Sequence, residues 1–250
     1  MARIAIVAAL AREVASLVRG AGWRRTKLGR RWRVFESDTA VVVCAGIGAA
    51  PARAAAEAVV ANAKPGLLIS AGLAGGLVPG WQVAQVMIPS VIVGATSRRP
   101  VFWLGEPEDV TVDGVLFSAS EVVGTKEKTQ LSRQYGAQAV DMEAEAVAEV
   151  AERSKIPFLA VKAICDEWDF LVPDLAAYVD RQGRFRTFRF VLHTAFRPYS
   201  WRDTVNLASR SARASQALSR KLRGLLESGA LDAISGPKTS PWLAAAPRVE

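Results

Sequence analysis

The chain has 250 residues, half of them hydrophobic, and a formal net charge of +8. This size and composition allow one full-sized core and exclude a largely disordered or low-complexity protein. No apolar run reaches the roughly 18 residues that span a bilayer, and the positive excess lies after Arg181, so we expect a soluble protein without a nucleic-acid partner.

The first predicted element is a buried strand over Ile4 to Ala9, because the opening MARIAIVAAL is apolar but lacks the cleavage site of a signal peptide. Near-continuous apolar runs indicate strands that are covered on both faces. Further runs lie at Ala40 to Ala45, Leu67 to Ala71, Val83 to Ile88, Val115 to Phe117 and Phe158 to Ile164. Helices are predicted from Pro51 to Asn62 and from about Met142 to Ser154.

This alternation predicts the architecture. We expect an α/β fold, a single domain with a central mixed, mostly parallel sheet wrapped by helices, and sites at the carboxyl ends of the strands. The domain is predicted to cover residues 1–228 and to include a basic helical extension from about residue 170. Residues 229–250, with three prolines, are predicted to form a loosely ordered tail.

Cysteine and histidine usage restricts the chemistry. Cys44 and Cys165 have no metal-type spacing, and His193, the single histidine, cannot form a histidine metal cluster. We expect neither a metal nor another cofactor. A reduced, cytoplasmic protein fits this pattern. Acid and base chemistry at neutral pH must then come chiefly from carboxylates.

Glycines and a carboxylate follow the early strands. Glu13 stands at the corner after the first strand, where it is either a ligand-site carboxylate or an acid favoured by a helix dipole. Gly46, Ile47 and Gly48 form a turn whose N–H groups can hold an anion or ribose hydroxyls. The run AGLAGGL from Ala71 to Leu77 lets a flat ligand approach the backbone, or else serves close sheet packing.

Two later segments carry further acids. VDMEAEAVA, from Val140, puts Asp141, Glu143 and Glu145 at the junction of a strand and a helix, where surface carboxylates are also ordinary. KAICDEWD, from Lys162, ends an apolar strand with Asp166. This aspartate is placed either to act as an acid at the end of the sheet or to cap a helix.

In this order, the N-terminal strand with its glutamate, GIG, AGLAGGL, VDMEAEA and KAICDEWD resemble the signatures of the bacterial methylthioadenosine/S-adenosylhomocysteine nucleosidases and related nucleoside phosphorylases. The resemblance spans roughly Arg3 to Asp169. It implies the nucleoside phosphorylase fold and cleavage of the N-glycosidic bond of a purine nucleoside. Relatives of this kind are usually dimers or hexamers, so a homo-oligomer is implied by the resemblance alone.

The resemblance also implies roles for individual residues. Glu13 matches the glutamate that activates the attacking water, and Asp166 matches the aspartate that shares a proton with purine N7. Glu143 matches the carboxylate that binds the ribose hydroxyls. The remaining implied substrate-binding residues are Gly46, Ile47, Gly48, Ala74, Gly75, Val122, Val123, Met142 and Cys165. Among these, Met142 packs on the sugar and Val123 reads the base edge.

Some features depart from this pattern. Cys165 stands where the nucleosidases usually carry serine, Val122 replaces a stacking phenylalanine, and Val93 to Asp113 lacks the usual histidine and aspartate pattern. A segment rich in phenylalanine and arginine, Phe185 to Trp201, follows DEWDFLVPDL. These features resemble the hopanoid-associated branch of the superfamily, whose inferred reaction releases adenine from adenosylhopane.

The alternatives remain open. The aromatic residues suit either a peripheral contact at the inner face of the membrane or packing of the C-terminal helices against the domain. The substrate is either a lipid nucleoside or a small one such as methylthioadenosine. Glu13 favours water as the nucleophile, whereas Arg53, after the GIG turn, would suit phosphate as co-substrate. A basic peripheral membrane or nucleic-acid binding protein is the non-enzymatic alternative.

Overall fold

The computed structural model describes residues 3–28, 32–100, 114–170, 201–228 and 231. Within them lie eleven strands and five helices, for which we use the labels that follow. The strands are β1 (Ile4–Ala8), β2 (Arg24–Leu28), β3 (Trp32–Glu36), β4 (Ala40–Cys44), β5 (Leu67–Gly76), β6 (Val86–Met87), β7 (Val91–Val93), β8 (Arg98–Pro100), β9 (Val115–Ser118), β10 (Ala139–Asp141) and β11 (Phe158–Asp166). The helices are α1 (Ala15–Val18), α2 (Ala49–Ala63), α3 (Thr125–Tyr135), α4 (Ala144–Arg153) and α5 (Trp201–Glu227).

The strands form one mixed sheet in the order β2-β3-β4-β1-β5-β10-β9-β7-β8, and β11 pairs with β5 and β6. The strands β4, β1, β5 and β11 run parallel. The hairpin of β2 and β3 joins β4 in antiparallel pairing. The predicted fold, a single α/β domain with a mixed sheet wrapped by helices, is confirmed.

The core follows from the apolar runs. Every residue of β1 is buried, as is nearly all of β4 and β11, because helices and neighbouring strands cover them. Helix α2 packs on α4 and β1, while α5 packs on β11, β5 and α1. Helix α5 does so through a stripe at helical spacing, Ala214, Leu218, Leu222 and Leu225.

Some predicted elements differ from the structure. The strand predicted over Leu67 to Ala71 is longer in the structure, because β5 continues through the AGLAGG run to Gly76 and pairs there with β10. The strand predicted over Val83 to Ile88 shrinks to Val86–Met87, because Ala84 adopts a positive φ of 75° that interrupts an extended chain. The polar strands β2 and β3 and the polar helix α3 were not predicted.

Several predictions fall on residues outside those described. The Phe185 to Trp201 segment does so apart from Trp201, the first residue of α5, and so does the predicted tail apart from Leu231, which is buried in the core. The predicted basic helix is observed and ends at Glu227. Among the described residues, no helix has both the length and the apolar character needed to cross a membrane.

Candidate active site

Glu13 is a buried carboxyl group at the end of the turn that follows β1. Its side chain is 6% exposed, and the N–H of Leu10 donates to Oε2 at 3.2 Å. Burial raises the pKa of Glu13, and the Leu10 N–H and the nearby charge of Lys162 oppose this. A carboxyl group in such surroundings can accept a proton from water near neutral pH.

Lys162, in the middle of the apolar strand β11, faces the same space as Glu13. A Cβ at Gly72 would lie 3.5 Å from both Glu13 Oε2 and Lys162 Nζ. The ammonium group is fully buried and forms an ion pair with Asp141 at 2.7 Å, and it donates to Ser70 Oγ at 3.0 Å. Because Gly72 has no side chain, a small space remains between the carboxyl group of Glu13 and the ammonium group of Lys162.

Asp141, one of the three acids at the junction of β10 and α4, anchors the start of α4. It accepts the N–H of Ala144 at 2.9 Å and of Glu143 at 3.3 Å, and it accepts the hydroxyl of Ser118. With the ion pair to Lys162, these bonds occupy both of its oxygens. Asp141 thus holds the start of α4 in place. The side chain of the next acid, Glu143, accepts its hydrogen bond from the GIG turn instead.

Glu143 and the GIG turn meet although they are 95 residues apart, since the N–H of Gly48 donates to Glu143 Oε1 at 2.7 Å. The turn requires glycine, because Gly46 and Gly48 have φ values of 107° and 98°. Burial and the neighbouring charge of Asp141 raise the pKa of Glu143 to about 7. Glu13 also contributes to this rise, so the two glutamates face a common region.

Asp166 lies at the end of β11, where the strand contains a bulge. Pairing with β5 runs regularly up to Ile164 and Ala74, and then Asp166 rather than Cys165 stands opposite Gly75. A Cβ at Gly75 would lie 2.9 Å from Asp166 Oδ2, so only glycine permits this approach. Asp166 belongs to a strand, and the alternative of a helix-cap aspartate is wrong.

The Asp166 carboxylate has two donors. The ammonium of Lys128, from α3, forms a buried ion pair with Oδ2. The thiol of Cys165 donates to Oδ1 at 3.0 Å, and burial, together with the charge of Asp166, raises the pKa of that thiol well above its usual range. Cys165 therefore remains a neutral donor to the carboxylate.

A cleft of about 360 Å³ opens beside Met142 and Glu127, which precede Glu143 and Lys128 in the chain, although its lining residues do not include Glu13, Glu143 or Asp166. Its walls come from the loop after β9 and from the first residues of α3, α4 and α2, and they include Phe117, Val122, Val123, Leu131 and Met142. These side chains give the cleft a largely apolar lining on which a flat base or a sugar can pack. Val122, Val123 and Met142 are the predicted substrate-binding residues that share it.

The predicted residues thus fall into groups that the fold brings together. Glu13, Glu143 and Gly48 share one region, and Asp166, Cys165 and Gly75 share another. The strands β5 and β11 connect the two regions, since each strand contributes to both. Gly46 and Ala74 are buried beside these groups, and Ile47 is half-buried in the GIG turn.

The two lysines were missed by sequence reasoning. A usable signal existed for Lys162, a charged residue inside the apolar strand FLAVKAIC. For Lys128 there was none, because α3 is polar throughout and Lys126, two residues earlier, is exposed. Arg53, which would suit phosphate, forms an ion pair with Glu149 of α4, and this side-chain hydrogen bond lowers the pKa of Glu149.

Comparisons with known proteins agree with this description. A family model described as the phosphorylase superfamily matches residues 3–120 and 108–196. A 5′-methylthioadenosine/S-adenosylhomocysteine nucleosidase from Listeria welshimeri is 27% identical over 158 residues, which are 50% of this chain and 68% of that protein.

Two solved structures show the same fold. A 5′-methylthioadenosine/S-adenosylhomocysteine nucleosidase from Neisseria meningitidis, in complex with methylthio-immucillin-A, has a TM-score of 0.68 at 17% identity and covers 91% of this chain and 100% of its own. Futalosine hydrolase of Helicobacter pylori has a TM-score of 0.65 at 14% identity, covering 91% and 98%. Because the family model matches well over half of the chain, this protein belongs to the phosphorylase superfamily and is an enzyme of that group, as the order of its motifs predicts.

Proposed function

We propose that this enzyme hydrolyses the N-glycosidic bond of an adenosine-type nucleoside and releases the purine base. The observation that carries the proposal is the set of three acids, the buried Glu13 and Asp166 and the half-buried Glu143, held near the carboxyl ends of β1, β11 and β10. The motif roles and the names of the curated relatives support the same reaction.

The mechanism assigns one step to each acid. As the bond between C1′ and N9 breaks, its electron pair goes to the purine. Asp166, which takes up a proton from solvent before the base leaves, delivers that proton to N7 and returns to the carboxylate that pairs with Lys128, so that the base leaves neutral. Glu143 accepts hydrogen bonds from the ribose hydroxyls as the sugar becomes oxocarbenium-like. Glu13 takes a proton from water, whose oxygen bonds to C1′. General acid help of this kind contributes about 10²- to 10⁴-fold in rate.

Water is favoured over phosphate by the charges around Glu13. The space beside Gly72 is bordered by a carboxyl group as well as by Lys162, and a carboxylate repels phosphate. The ammonium of Lys162 is already compensated by Asp141. The guanidinium of Arg53 is paired with Glu149 of α4, so its charge is already compensated as well.

For the finer choice of substrate we propose a nucleoside with a long apolar 5′ group, adenosylhopane being the candidate that the sequence departures suggest. Trp168, in the loop that leaves β11 after Asp166, is 38% exposed and is the one exposed large hydrophobic residue in the part of the chain that the structure describes. The phenylalanines of the Phe185 to Trp201 segment follow it in the chain. The alternatives are methylthioadenosine, S-adenosylhomocysteine, and phosphorolysis of a purine nucleoside.

The test is product analysis with methylthioadenosine, adenosine, inosine and an adenosyl lipid, each with and without phosphate. We expect free adenine and a free sugar, with no dependence on phosphate. Glu13→Gln should reduce hydrolysis by about 10²-fold or more, because the amide cannot accept the proton of water. A sugar 1-phosphate formed only with phosphate, at a rate that survives Glu13→Gln, would contradict hydrolysis.

A further inference from the structure

Lys128 is a buried cation for which the proposed mechanism has no use. Its side chain is 1% exposed although it lies on the polar helix α3. Taking an ammonium group out of water costs several kcal/mol unless the charge is paired and hydrogen-bonded. Its burial therefore depends on its partners, and both partners belong to the site.

The first partner is Asp166 Oδ2, and the second is the carbonyl oxygen of Glu167, to which Nζ donates at 2.8 Å. The other oxygen, Oδ1, accepts the thiol of Cys165 at 3.0 Å, and the carboxylate lies so close to Gly75 that a Cβ there would be 2.9 Å from Oδ2. Lys128 thus fixes both the carboxylate and the main chain that follows it.

Helix α3 connects this ion pair with the cleft. It begins at Thr125, directly after Val122 and Val123, and the carboxylate of Glu127 accepts the N–H of Gly124 at 2.7 Å, which holds the first turn. Lys128 lies in the turn that follows. The loop proposed to read the base and the residue that holds Asp166 are therefore parts of one short rigid segment.

We propose that Lys128 is a positioning residue that acts through Asp166, orienting its carboxylate toward N7 of a base held by the Val122–Val123 loop. This inference rests on the proposed function. It makes a specific claim about the leaving group: Lys128 matters when departure of the base needs a proton from Asp166. It does not matter when the leaving group is already a stable anion.

The experiment compares Lys128→Met with wild type on two substrates: the best purine nucleoside from the panel above, and p-nitrophenyl β-D-ribofuranoside, whose phenolate leaves without protonation. We expect kcat for the purine nucleoside to fall by about 10- to 100-fold with little change in KM, and cleavage of the nitrophenyl riboside to stay within about threefold. Lys128→Arg should recover part of the loss. Lys126→Met, which removes an exposed charge from the same helix, is the matched control and should behave as wild type.

Lys128→Met leaves Asp166 buried without its cation, so folding is checked by circular dichroism. If this variant does not fold, the double variant Lys128→Met/Asp166→Asn, which has no unpaired charge, is compared with Asp166→Asn alone. Equal rates of the double and single variants support action through Asp166. Equal losses on both substrates, or a further loss in the double variant, overturn the inference. A wild type that cleaves no purine nucleoside instead overturns the proposed function.

Discussion

Glu143 carries an ionisation that opposes folding. Burial beside Asp141 raises its pKa from 4.5 to about 7. Below pH 4.5 the group is protonated in both the folded and the unfolded chain and has no effect. Between pH 4.5 and about 7 the unfolded chain loses the proton while the folded protein keeps it, so the free energy of unfolding falls as the pH rises.

We therefore expect Glu143→Gln to be more stable than wild type at pH 8, to show a smaller difference at pH 5, and to impair catalysis. The amide keeps an oxygen for the Gly48 N–H but carries no charge. The gain in the free energy of unfolding at pH 8 should be on the order of 1 to 3 kcal/mol. Denaturant unfolding of wild type and variant at several pH values measures it.

Glu143→Asp is the matched control, because it keeps the charge and should show no such gain. If the free energies of unfolding of wild type and Glu143→Gln change in parallel between pH 5 and 8, another group causes the loss of stability at high pH. A gain in stability combined with a loss of kcat is typical of residues selected for activity.

Among the elements, α5 contacts the turn that carries Glu13 and the loop that follows Asp166. Ser219 donates to the carbonyl of Glu13 at 3.5 Å, and Arg223 donates to that of Ser16 at 2.6 Å. At its other end, Arg210 forms an ion pair with Glu167 at 2.8 Å, and its guanidinium lies 4.6 Å from the ring centre of Phe170. The helix thereby fixes residues that lie next to the proposed acids.

We expect Arg210→Met to lower kcat by about three- to tenfold with little change in thermal stability. A partly exposed ion pair and a cation–π contact each contribute about 1 kcal/mol or less. Their loss would loosen Glu167, whose carbonyl oxygen binds Lys128. Steady-state kinetics and thermal unfolding measure the two effects.

Arg213→Met, an exposed substitution one turn further along α5, should leave kcat unchanged. If Arg210→Met behaves in the same way, the loop after Asp166 keeps its position without α5. A large loss of thermal stability in Arg210→Met alone would make the contact a general structural one.

Sequence reasoning found the buried elements of this sheet and missed those on its margins. The runs that became β1 and β4 are apolar throughout, and their predicted ends were correct to within one residue. The hairpin of β2 and β3 carries charged residues and lies largely at the surface, with only Val34 buried in β3, so no apolar run marked it. In β5, the predicted strand ended at Ala71 because the glycines of the AGLAGG run disfavour a strand, but pairing with β10 and β11 keeps the run extended to Gly76.

The same distinction holds for the site. Glu13, Glu143 and Asp166 could be named because their motifs, taken in order along the chain, resemble those of the nucleosidases. The hydrogen bond between Gly48 and Glu143 joins residues 95 positions apart, and Lys128 reaches Asp166 across 38 positions. Contacts of this kind depend on tertiary packing, which local sequence patterns do not encode.

At the scale of the whole molecule, the positive charge is concentrated at one end of the chain. From Arg181 to Leu226 there are eleven lysines and arginines and one acid, so the net charge of this region alone is larger than the +8 of the whole chain. Phe185, Phe188, Phe190 and Phe196 lie within it. This combination suits an anionic lipid surface, where each cation contributes about 1 kcal/mol and apolar side chains enter the interface.

If the substrate is a lipid nucleoside, the enzyme should sediment with vesicles that contain anionic lipid, bind neutral vesicles less, and dissociate as salt is added. The triple variant Phe188→Ser, Phe190→Ser and Phe196→Ser should lose most vesicle binding and most adenosyl-lipid turnover. It should retain turnover of a small nucleoside, because Glu13, Glu143 and Asp166 lie in other segments of the chain. An equal loss on both substrates would make these residues part of the core. A wild type that prefers methylthioadenosine and stays in the supernatant would exclude the lipid substrate and leave hydrolysis of a small nucleoside as the function.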